Sequence, residues 1–113
     1  MKSAIRGLLL SLAMLAVATD ATAANAWKSN YLVYSVVSLN NGGFILLLEA
    51  SDAACGPSGN QFYVQAGSNG MTADGVKSTL AVVLTALAMG RTVNALVDTT
   101  LGGCPVQLAQ INP

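Results

Sequence analysis

Few side chains in this 113-residue chain can do chemistry: there are five bases, five acids, two cysteines and no histidine. Without an imidazole, Ser-His-Asp and Cys-His nucleophiles are excluded. Lys77 and Ser78 are the one Ser-Lys candidate, but neighbouring helix positions point about 100° apart and do not face each other. Glu49 and Asp52 have the types of a glycosidase carboxylate pair. Nothing in the surrounding FILLLEASDAA would raise one pKa and leave the other low, so they read as solvated groups at a strand end. Gly70 to Ser78 (GMTADGVKS) touches the pattern of a phosphate loop, yet Val76 separates the second glycine from the lysine. Asp52 and Asp74 lack the dense oxygen spacing of a calcium loop. The reading is therefore a non-enzymatic chain with no catalytic residue, metal or cofactor.

Cys55 and Cys104 lie in the Gly/Pro-rich stretches ACGP and GCP. Zinc would need two further ligands, and a redox pair would have C-x-x-C spacing. Both residues therefore point to a structural disulfide, closing a loop of about 50 residues and worth roughly 4 kcal/mol in the chain-entropy picture. That bond needs an oxidising compartment, and the N-terminus supplies the route. Lys2 and Arg6 precede an apolar run, Gly7 to Ala18, too short to span a bilayer core, which takes about 20 residues. Two small-x-small sites follow, Ala21-Thr22-Ala23 and Ala24-Asn25-Ala26. Residues 1–23 read as a signal peptide and 24–113 as one small domain, with a cut after Ala26 as the alternative to one after Ala23. The expected location is secreted or periplasmic, with no membrane span once the signal is removed.

Cleavage leaves Lys28, Lys77 and Arg91 against Glu49, Asp52, Asp74 and Asp98, a formal charge of −1. Three scattered bases cannot neutralise a run of phosphates, so nucleic acid is excluded as a partner. An anionic membrane surface is disfavoured for the same reason.

The elements that must position these groups follow from periodicity. Tyr31 to Leu39 is β-branched and aromatic and ends at Asn40-Asn41-Gly42-Gly43, a turn signal, before Phe44 to Glu49. The second strand is apolar on both faces and so central. Gln61 to Gln65 alternates, sending Phe62 and Val64 to the core and Gln61, Tyr63 and Gln65 to the other face. Tyr31 and Tyr34 fall on opposite faces of the first strand, which commits one of them to the core, while Trp27 either caps the fold or stays loose. Val76 to Met89 has helical periodicity, with Thr72 or Asp74 as N-cap and Gly90 as its stop. Its expected core stripe is Val76, Leu80, Val83, Leu84 and Leu87. Thr92 to Val97 and Val106 to Ile111 alternate as strands. The fold class is mainly β with one helix, in the order β-β-β-α-β-β. That order fits a five-stranded OB-fold-like barrel, with an open α+β sheet as the alternative.

The run Leu84-Thr85-Ala86, the stop Gly90-Arg91-Thr92-Val93, the loop Gly103-Cys104 and a last strand ending at Ile111 resemble short secreted bacterial OB-fold proteins. These include the B subunits of the subtilase-cytotoxin type. The resemblance covers about 30 residues, mostly apolar, and implies an OB-fold barrel, a disulfide, a ring assembly and glycan binding without catalysis. No glycan-binding residue of those toxins can be matched here.

Two function classes stay open: a binding module of the glycan type, and a structural or inhibitory protein that contacts another exported protein. The ligand-binding candidates are Gln61, Tyr63 and Gln65, where an aromatic ring between amides suits a sugar, or where Tyr63 simply packs on a neighbouring strand or loop. A homo-oligomer is expected through Ser78, Val82, Thr85 and Met89, on a helix side that also holds Ala81 and carries no charge.

Overall fold

A computed structural model describes residues 25–113; the expected signal peptide lies outside them. The elements are β1 (Asn25–Ser38), β2 (Phe44–Leu48), β3 (Gln61–Val64), α1 (Ala73–Met89), β4 (Thr92–Asp98) and β5 (Val106–Ile111). The five strands form one antiparallel sheet in the order β3-β2-β1-β4-β5, mainly β with a single helix as the periodicity requires. Of the two architectures expected, the ladder is that of the open sheet. β3 and β5 are its two edges, and one backbone bond, Tyr63 N–H to Gly103 O at 3.0 Å, ties β3 to the segment before β5.

β1 begins six residues earlier than its composition indicates, because the polar stretch Asn25 to Asn30 gains ladder partners in β4. Its first half pairs with β4 and its second half with β2, with register shifts at Ser29-Asn30 and at Tyr34. Asn30 takes a left-handed backbone (φ 63°) at the first of these, a conformation asparagine tolerates better than most residues. β2 is central, and Phe44, Leu46 and Leu48 are buried with Phe62 and Val64 of β3. Val93, Ala95 and Val97 of β4 complete the same inner face. Tyr31 packs against this core and Tyr34 is exposed, as opposite faces demand.

α1 starts at Thr72, whose hydroxyl accepts the Gly75 N–H at 3.0 Å, and ends at Gly90 in the left-handed conformation that glycine permits (φ 65°). Its buried positions are Val76, Thr79, Val83 and Ala86. The expected stripe is corrected here: Leu80 is half-buried, but Leu84 and Leu87 are exposed. At 100° per residue the core-facing direction is turned by roughly 60° from the leucine-centred one. Small Thr79 and Ala86 side chains lie inward, where a close helix-to-sheet approach leaves little room for leucine.

Candidate functional site

The antiparallel register sets cross-strand rows on the outer face of the sheet, opposite the core. Val37, Ile45 and Tyr63 form one row and Ser35, Leu47 and Gln61 the next. Tyr63 therefore lies beside Ile45 with Gln61 and Gln65 before and after it, as the alternation of β3 requires. Each of the three also has a neighbour that sequence spacing does not reveal. The Tyr63 ring is half-buried against Gly103, where a Cβ would come within 3.1 Å of it. Gln61 lies against Gly56 in the disulfide loop, and the Gln65 side-chain carbonyl accepts from Asn41 at 3.1 Å. Gln61, Tyr63 and Gln65 are thus held together on one face, with their rotamers constrained by the two adjoining turns.

A second patch on the outer face was not legible in the sequence. Trp27 of β1, Leu96 of β4 and Leu108 of β5 are mutual register partners, and Trp27 is 52% exposed. The row exists because β5 carries one extra residue, Gln107, between Val106 opposite Val97 and Leu108 opposite Leu96. This bulge turns Leu108 outward and Ala109 and Ile111 inward. On the next rung Asn94 pairs with Gln110, inside a network of side-chain amides. Asn94 Oδ1 accepts from the Asn30 backbone N–H at 2.9 Å, and Asn94 Nδ2 donates to Asn112 Oδ1 at 3.0 Å. Asn112 Nδ2 donates to Thr92 Oγ1 at 3.0 Å. The only sequence signal for this patch is the number of asparagines. Their contact depends on strand register, which was out of reach until β1 was known to start at Asn25.

The carboxylate pair is separated by its environments. Glu49 is exposed just past β2. Asp52 forms an ion pair with Lys28 and accepts from the Ala54 N–H at 3.0 Å. The Lys28 hydrogen bond, then that of Ala54, hold its pKa below the ordinary carboxylate value. A general acid needs the opposite shift. Cys55 and Cys104 form a disulfide with Cα atoms 5.5 Å apart, joining the β2–β3 loop to the loop before β5.

On α1, Ser78, Val82, Thr85 and Met89 lie on the flank that faces β5. Ser78 and Val82 line a groove with Gln107 and Leu108, and Thr85 and Met89 line a second with Ile111 and Pro113. Ser78, Thr85 and Met89 are exposed and Val82 is half-buried. The other flank of the helix carries Leu84 and Leu87, so α1 is apolar on both sides of its buried stripe. Among the described residues no helix is long and apolar enough to cross a membrane. No family model, curated protein or solved structure matches the chain.

Proposed function

We propose that the chain is an exported, non-enzymatic binding module that takes neutral carbohydrate on the outer face of its sheet. One observation carries the reading: the cross-strand rows of that face contain no charged residue and set exposed aromatic rings beside side-chain amides. A sugar presents an apolar C–H face to a ring and hydroxyls to amides, and an uncharged site suits a neutral ligand. Trp27, beside Asn94 and Gln110, is the more open of the two aromatic positions, and Tyr63, between Gln61 and Gln65, is the second. The test is a glycan array probed with exported wild-type protein and with Trp27→Ala and Tyr63→Ala. Trp27→Ala is expected to lose the array hits with a stability change below about 1 kcal/mol, the range of an exposed side chain. Loss with Tyr63→Ala alone moves the site to β3. A folded wild type with no array hit overturns the glycan reading in favour of contact with another exported protein.

A homo-oligomer belongs to the same proposal, and the α1–β5 flank is the observation that favours it. From Ser78 to Met89 the helix has no charge, and β5 (VQLAQI) has none either, although it is an edge strand. Monomeric proteins normally protect such edges with charge or proline. An uncharged flank meets a second copy of itself with no like-charge repulsion.

A further inference from the structure

We propose that Asp98 is the docking site for the α-ammonium group that signal-peptide cleavage creates at Ala24. Asp98 ends β4 and is 1% exposed. Its Oδ1 is satisfied by the backbone N–H of Thr100 at 2.9 Å and by the Thr100 hydroxyl. Its Oδ2 is buried with no hydrogen-bond partner among the described residues. A buried carboxylate oxygen in that state is costly unless a donor, and above all a cation, reaches it.

The described bases are engaged or distant. Lys28 pairs with Asp52. Lys77 is exposed on α1, and Arg91 precedes the opposite end of β4, roughly 20 Å away at strand rise. The segment that does face Asp98 is the start of β1, because Asn25 is its register partner. Asn25 is itself fastened: its Oδ1 accepts from Asn69 Nδ2 at 2.8 Å, and the same Nδ2 donates to Pro105 O at 2.9 Å. Register partners lie about 5 Å apart, and one more residue adds at most about 3.8 Å, so an amine on residue 24 is within reach of the Asp98 carboxylate.

Hydrolysis of the Ala23–Ala24 peptide bond consumes one water, leaves a carboxylate on Ala23 and frees the Ala24 amine, which takes up a proton. The same nitrogen is a neutral amide in the uncut chain, so the ion pair exists only after processing. The alternative cut after Ala26 would remove Asn25 and Ala26, the partners of Asp98 and Val97. The geometry therefore assigns the cut to Ala23 and makes folding stability a consequence of export.

The inference rests on the export reading, and the experiment separates the two. The full chain is expressed with its own leader in a Gram-negative host, and the product is examined by N-terminal sequencing and thermal melting. Three variants accompany it: Gly-Ser inserted between Ala23 and Ala24, Asp98→Asn, and the two combined. The expected product begins at Ala24. The insertion is expected to lower the melting temperature by on the order of 10 °C in the wild-type background, the scale of a broken buried ion pair in a small domain, and to change nothing in Asp98→Asn. Equal effects of the insertion in both backgrounds overturn the ion pair. A product beginning at Trp27 overturns it while leaving export intact, and an uncut product overturns both. If Asp98→Asn does not accumulate, the terminal amine of the purified wild type is converted to a ketone by transamination, which spares the lysines. A melting temperature unchanged by that conversion also overturns the proposal.

Discussion

Asp52 organises the β2–β3 loop through both its carboxylate and its backbone. Its N–H donates to Gly59 O and its carbonyl accepts from Cys55 N–H, while its side chain holds Lys28 and Ala54. Because its folded pKa lies below the model value of 3.8, the unfolded chain takes up a proton first as the pH falls. The carboxylate's stabilising contribution is therefore fully present above that value and is lost as the pH drops through the folded pKa. Asp52→Asn is expected to melt below wild type at pH 7, with the gap closing below about pH 3.8, as melting curves across that range will show. A constant gap would mean that Asp52 acts through something other than its charge. Asp52 was legible as a solvated carboxylate and not as half of an ion pair, since Lys28 stands 24 positions earlier on another element. The cysteine pair was legible because, with two cysteines in an oxidising compartment, pairing needs no knowledge of the fold.

At the scale of elements, turn chemistry and alternation were reliable guides. The stop at Gly90, the cap at Thr72 and the inward Phe62 and Val64 all follow from local rules. The phase of α1 does not, because its sequence is apolar almost all round and several stripes compete. Which stripe faces the sheet is decided by how closely the helix axis can approach, a property of the packed pair and not of the helix. Two substitutions test the phase. Ala86→Leu, at a fully buried position, is expected to cost about 1–3 kcal/mol through overpacking. Leu84→Ala, at a position 45% exposed, is expected to stay within about 0.5 kcal/mol of wild type. Chemical denaturation of both variants decides it, and the reverse order would restore the leucine-centred stripe. The bulges in β1 and β5 were equally hidden, since each shifts a face by one residue without leaving a glycine or proline to mark it.

For the whole molecule, self-association and the crosslink are the properties to measure. Light scattering on the exported protein is expected to show a species larger than one chain, and Val82→Lys is expected to dissociate it without changing helix content. A wild type that runs as a single chain at tens of micromolar removes the oligomer. Cys104→Ser is expected to cost on the order of 2–5 kcal/mol, read as a lower denaturation midpoint; a midpoint equal to wild type would mean the bridge adds no stability. The disulfide spans residues 55 to 104 and so encloses β3, α1 and β4, leaving β1 and β2 on one tail and β5 on the other. A protease that cuts once in the exposed Ala66-Gly67 stretch therefore separates no fragment: both pieces remain on one covalent body until a thiol is added. A cut in the exposed Asn40-Asn41-Gly42 turn falls outside the ring and leaves β1 held by noncovalent pairing alone. For an exported chain that meets peptidases, the two surface loops thus carry unequal risk, and the β1–β2 turn is the one whose scission can dismantle the sheet.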